Sequence, residues 1–213
     1  MDVVDRLHLI QPVQAAPAVP DTSPAKLEIR TLATPEEQQS IAHLRQYADF
    51  ESEYELDPGL KAFERTKDAL GIVMSIGFGE QSIATIRFIP TGHGVTLTER
   101  LWLGMITDKD ILGPDSWEVG RLVMAPEYRR ADLLPRCLAL ALQEISRRVC
   151  VRHFHASCLT RMTRLYRRFG FIPHGVTESR SGKQCALIHA KPEAVAAALG
   201  VEVAEVALAA LAE

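Results

Sequence analysis

The chain has no apolar run approaching the roughly 18 residues of a membrane-spanning helix. Its start lacks the basic residues and continuous apolar core of a signal peptide, so the protein is expected in the cytoplasm. It has only four cysteines, Cys137, Cys150, Cys158 and Cys185, in neither metal-binding nor secretory spacing, and reduced, buried thiols are the expectation. His153 and His155 stand two apart on a strand face with no evident third ligand, so no metal site is expected. The segment 194–211 could form two helices but has no Arg or Lys to meet phosphates, which argues against a nucleic-acid partner. Net charge is also small, −3 over 213 residues, a length suited to one domain with appendages.

The charge is unevenly placed. Residues 1–60 hold 4 basic and 11 acidic side chains, whereas 121–168 hold 11 arginines against 3 acidic residues. Such a basic face is either a solvated surface or a site for an acidic partner, of which nucleic acid is one and an acidic carrier protein another.

From the start, residues 1–25 are Pro/Ala-rich and read as a flexible tail, with a short helical turn at Met1 to Ile10. Lys26 to Leu32 alternates as a strand. Thr34 caps a helix with Glu36 and Glu37 in its first turn; it carries Ile41, Leu44, Arg45 and Tyr47 and runs into an acidic stretch from Phe50 to Asp57. Leu70 to Gly77 and Gln81 to Ile89 form a hairpin about Phe78-Gly79-Glu80, with Arg87 the one charge in its second strand.

The run Trp117 to Met124 suits a strand buried on both faces, yet contains Glu118 and Arg121, which need partners or a role. Three residues apart, they face opposite sides unless a bulge, most naturally at Gly120, brings them together. A basic loop with Arg129, Arg130 and Ala131 then meets a helix beginning at Leu133, with Asp132 as N-cap, and this is an anion site by construction. A strand over Cys150 to Ala156, a helix over Thr160 to Arg168 stopped at Gly170, a hairpin of Val176 to Glu178 with Gln184 to Ala190, and an Ala-rich helix from Pro192 complete the chain. The tail from Val201 to Ala212 reads as packing or oligomer contact, with the oligomeric state open.

This order of elements, ending in Leu165-Tyr166-Arg167-Arg168-Phe169-Gly170-Phe171, resembles the GCN5-related N-acetyltransferase (GNAT) fold. Trp117-Glu118-Val119-Gly120-Arg121-Leu122, with Ile83 to Thr91, resembles the branch of long-chain N-acyl amino acid synthases and acyl-homoserine-lactone autoinducer synthases. The resemblance covers about residues 26–190 and leaves 191–213 as a helical extension. It implies an α+β, three-layer architecture: a mixed, mostly antiparallel sheet flanked by helices and split between its fourth and fifth strands.

The resemblance also implies roles. A pantetheine arm lies in the split, pairing with the backbone of Leu122, Val123 and Met124, and its phosphate meets Arg129, Arg130 and Ala131. Glu118 is the candidate base and Tyr166 the candidate acid. Arg45, Arg87 and Arg121 are candidates for the acceptor, Arg87 equally for an ion pair and Arg121 alternatively for orienting Glu118. The apolar stretch Val95 to Leu112, with Leu101, Trp102 and Met105, is expected either to line an acyl channel or to pack as core. Asp132 departs from the family, standing where glycine is expected in the phosphate loop, and an acidic cap competes with phosphate. The expected donor is therefore acyl-carrier protein, with its single phosphodiester, rather than acyl-coenzyme A, and no cofactor is bound permanently. The expected activity is N-acylation of an amino acid or similar small amine. One alternative is an autoinducer synthase using S-adenosylmethionine, against which stand Gly120 in place of serine and no early tryptophan near Arg45. The other is a non-catalytic thioester- or carrier-binding module.

Overall fold

A computed structural model describes residues 26–48, 50–105, 109–113 and 115–202. The expected N-terminal tail and most of the segment after Val201 lie outside the described residues.

Among those residues the chain forms one seven-stranded sheet of order β1-β2-β3-β4-β5-β7-β6. The strands are β1 (Leu27–Leu32), β2 (Ile72–Phe78), β3 (Gln81–Pro90), β4 (Ser116–Met124), β5 (His153–Leu159), β6 (Ile172–Glu178) and β7 (Gln184–Ala190). All neighbours pair antiparallel except β4 and β5, which are parallel. That parallel pairing lasts only from Ser116↔His153 to Glu118↔His155. Beyond Glu118 the two strands part, so the expected split between the fourth and fifth strands is present.

The β2–β3 hairpin turns at Gly79 and Glu80, where Gly79 takes φ 55° at no steric cost. The first helix, α1 (Pro35–Gln39), starts in a capping box: Thr34 Oγ1 accepts from Glu37 N at 3.2 Å, and Glu37 Oε2 accepts from Thr34 N at 3.0 Å. It is not the continuous helix expected. The chain bends and resumes as α2 (Ala42–Arg45) and α3 (Glu51–Leu56), with Ile41 and Leu44 fully buried as anchors. A further helix, α4 (Glu64–Leu70), follows a 3₁₀ turn.

The longest helix, α5 (Leu133–Arg148), packs with α7 (Pro192–Leu199) on one face of the sheet, burying Cys137, Leu142 and Ile145 with Phe88, Phe154 and Phe169. The short α6 (Thr163–Arg167) ends before Gly170, whose φ is 85°. A Cβ at Gly170 would sit 2.6 Å from Ala194 O, so this glycine also permits the close approach of α7. The fifth strand begins at His153 and reaches Leu159, shifted toward the C-terminus of the expected Cys150 to Ala156.

Candidate active site

Where β4 leaves β5, the register with β3 slips as well. Arg87 pairs with Gly120 and Thr85 with Val123, so two β4 residues, Arg121 and Leu122, stand opposite Ile86 alone. This is a β-bulge, one residue beyond the expected Gly120, and Arg121 itself takes the left-handed conformation with φ 52°. The consequence is the expected one: Glu118 and Arg121 both line one cavity of about 420 Å³.

The cavity passes through the split. Its front is polar, with Ser52, Glu53, Arg87, Glu118 and Arg121; Val119, Gly120 and Leu122 face Ala156, Ser157 and Cys158 across the parted strands; its back is apolar, with Leu138, Ala141 and Leu142 of α5 and Tyr166, Phe169 and Phe171.

Glu118 is buried and fully coordinated on one side. Thr98 N and Thr98 Oγ1 both donate to Oε2 at 2.7 Å, and Leu97 N donates to Oε1 at 3.3 Å. Burial pushes its carboxyl above the ordinary range, with Lys67 and the Thr98 donors opposing. Tyr166, half-buried and edge-on to Phe171 at 6.1 Å between ring centroids, is pushed up to about 12, first by burial and then by the nearby Cys158.

Arg121 is clamped. Glu53 and Glu64 accept from its guanidinium, and Phe50 lies under it with the ring centroid 3.9 Å from Cζ. Arg87 donates to Asp68 at 2.7 Å and Glu64 at 3.2 Å. Arg45 forms a two-pronged pair with Asp68 at 2.6 and 2.9 Å. Lys67, with no exposed side-chain surface, sits 3.4 Å from Glu53 and 3.7 Å from Glu64. Four cations thus share three carboxylates in one network that includes the polar front and extends behind it. Burial alone would raise Glu64 and Asp68, but Arg87 with Arg121, and Arg45 with Arg87, outweigh it and hold both below the usual carboxylate range.

Several expected residues stand elsewhere. Arg45 serves Asp68 and does not line the cavity. Leu122 lines it, whereas Val123 and Met124 are buried outside it. Arg129 Nε donates to Met124 O at 3.0 Å, tying the basic loop to the end of β4. Arg130 is exposed and pairs with Asp132 at 3.4 Å, Ala131 is exposed, and Asp132 makes no side-chain capping bond.

Two expectations stood for Leu101, Trp102 and Met105, acyl channel or core packing; the cavity lining does not include these residues, and the packing of Leu101 and Trp102 is that of a core. Trp102 is fully buried in a separate small core with Leu60, Leu97 and Leu187, Leu101 packs against it, and Met105 is 47% exposed. The cavity's apolar back comes instead from Leu138, Ala141 and Leu142 of α5 with Phe169 and Phe171, and the α5 stripe reads equally well as ordinary core. Sequence reasoning also missed Glu64, Lys67 and Asp68. Their spacing of three and four on one helix face was the available signal.

The open, mostly antiparallel sheet, its flanking helices and the split beside a buried carboxylate define the GNAT fold. The chain is similar to FeeM, an N-acyl amino acid synthase from uncultured soil microbes, with TM-score 0.62 and 14% identity over 79% of this chain and 92% of that one. It is also similar to the acyl-homoserine-lactone synthase LasI, with TM-score 0.56 and 14% identity over 85% and 98% of the two chains. The coenzyme-A-dependent acyl-homoserine lactone synthase BjaI, solved with SAM and isopentyl-CoA, gives TM-score 0.54 and 14% identity over 83% and 90%. No family model matches the sequence, and no curated protein matches it. Among the described residues no helix is long and apolar enough to cross a membrane.

Proposed function

We propose that this chain is an N-acyltransferase that moves a long-chain acyl group from an acyl-carrier-protein thioester to the amino group of an amino acid or similar small amine. One observation carries the reading: a single cavity joins a charged front containing a buried carboxylate to an apolar back, through the gap between parted strands. A pantetheine arm is narrow enough for such a gap, and the edge of β4 beyond Glu118, unpaired with β5, offers backbone groups to its amides. The apolar back suits a fatty chain, each buried methylene contributing about 0.8 kcal/mol. FeeM, the N-acyl amino acid synthase, shares this fold, which agrees with an amino-acid acceptor.

The chemistry follows from the groups present. An acceptor ammonium gives a proton to Glu118, whose burial-raised affinity for protons suits a base. The freed amine attacks the thioester carbonyl, the new C–N bond forms, and the C–S bond breaks. Tyr166, at about 12, holds its proton more tightly than an ordinary thiol near 8.5. It therefore stabilises the departing sulfur as a hydrogen-bond donor, and the second proton, shed by the nitrogen as the amide forms, passes through solvent to the thiolate. Arg121 is paired with Glu53 and Glu64, and Arg87 with Glu64 and Asp68, so both charges are met within the protein; Arg121 holds Glu53 at the cavity wall, where its carboxylate pairs with the acceptor ammonium before Glu118 takes the proton.

For the donor, Asp132 at the start of α5 and its pairing with Arg130 leave little for a coenzyme A diphosphate. The exposed Arg129, Arg136, Arg161 and Arg164 suit an acidic carrier. The purified chain, given myristoyl-carrier protein or myristoyl-coenzyme A with the twenty amino acids, should form N-acyl amino acid by mass spectrometry, faster from the carrier. Equal rates overturn the donor assignment, a lactone formed on adding S-adenosylmethionine overturns the acceptor, and thioester binding without product from either donor overturns the enzyme.

A further inference from the structure

The segment between β3 and β4 braces the cavity from three sides. Its one-turn π-helix, Thr98–Trp102, reaches Glu118 through Thr98, pairs Arg100 with Asp57 at the end of α3, and donates the Trp102 indole N–H to Ser157 Oγ on β5 at 2.8 Å. The loop before it is folded onto Glu99, which accepts from Gly92 N at 2.6 Å, Gly94 N at 3.0 Å, Thr96 N at 3.2 Å and Thr96 Oγ1 at 2.6 Å. Thr96 and Thr98 are fully buried.

This brace treats the two oxygens of Glu118 unequally. Oε2 takes two 2.7 Å donors, both from Thr98, and its acceptor sites are filled; Oε1 takes one long contact of 3.3 Å and keeps a lone pair open. We propose that Thr98 is a positioning residue that pins Oε2 and so makes Oε1 the oxygen that receives the proton of the acceptor amine. The inference rests on Glu118 being the base. The terminal torsion of a glutamate is soft, so without the Thr98 hydroxyl Oε2 is held by the Thr98 N–H alone and the carboxylate turns more easily. Loss of a bond to the ionised form also leaves burial less opposed, which moves protonation to higher pH.

The test uses the full chain carrying ¹³C at its glutamate carboxyls, with Glu118→Gln identifying the resonance, and turnover measured with myristoyl-carrier protein and the twenty amino acids. Thr98→Val removes the hydroxyl and keeps the backbone N–H. It should raise the Glu118 titration midpoint by about one pH unit and lower kcat about tenfold, with the KM for thioester little changed. The acid limb of the kcat profile should move by the same interval, and Thr98→Ser should restore all three. A lower Tm with an unmoved titration and pH profile overturns the proposal, as does failure of Thr98→Ser to restore them. Should Thr98→Val not fold, Thr98→Ala supplies the same comparison. Acyl transfer surviving in Glu118→Gln removes the base itself, whereas an inactive Glu118→Gln beside an unshifted Thr98→Val removes only the role of Thr98.

Discussion

Arg121 shows how a local cost is sustained by its surroundings. A non-glycine residue in the left-handed region costs about 1–3 kcal/mol, and Arg121 is kept there by Glu53, Glu64 and the face of Phe50. The need for a bulge was legible, because Glu118 and Arg121 are charges in an otherwise apolar strand. Its position was not: glycine usually fills that conformation, and the carboxylates that hold Arg121 come from helices distant in sequence. Tyr166 gives the sharper test at this scale. Its ring packs on Phe171 while its hydroxyl is the part the proposed chemistry uses, so Tyr166→Phe should fold normally. It should lower kcat about tenfold, the effect of about 1.4 kcal/mol from one lost hydrogen bond, and leave the KM for thioester nearly unchanged in steady-state assays.

At the scale of elements, strands and hairpins were readable because alternation and turn residues agree, as at Gly79. The helix α4 was not, because it buries charge rather than an apolar stripe, and periodicity does not register ion pairing. For the same reason α1 to α3 read as one helix: the break that delivers Phe50 and Glu53 to Arg121 is set by contacts across the fold. Apolarity left channel and core both open in the stretch before β4, because a small core about Trp102 carries the same composition as a channel. The assignment of the apolar back to α5 makes its own prediction. Ala141 is 1% exposed and lines the cavity, so Ala141→Phe should fill the space beside Leu142. The variant should shift product chain length toward shorter acyl groups by mass spectrometry, with turnover of a short acyl thioester retained. An unchanged chain-length profile would place the fatty chain elsewhere.

Across the whole molecule, the main core lies on the α5 side of the sheet, and the far side carries a ladder of histidines. His153 Nδ1 lies 3.0 Å from His189 Nε2, the His155 and His174 rings stand 5.2 and 5.1 Å from that of His189, and His155 Nε2 donates to Ile111 O at 2.7 Å. Burial pushes His155 down to about 4, with His153 and His174 adding and the Ile111 bond opposing. Burial also pushes His189 down to about 3, reinforced by His155, His174, His153 and Lys191. Both are lower folded than the 6.5 of the unfolded chain, so between those values the unfolded state binds more protons and stability rises with pH. Their contribution is complete above about pH 6.5 and declines as pH falls toward 4 and then 3, by up to about 1.4 kcal/mol per pH unit for each histidine. Glu118 acts with the opposite sign, because its folded carboxyl binds protons more readily than the unfolded one, so the slope is cleanest in Glu118→Gln. Urea unfolding between pH 7.5 and 5 in that background should show falling stability, and adding His189→Gln should remove about half the slope. A flat profile would mean that the ladder takes up its protons without opening the sheet.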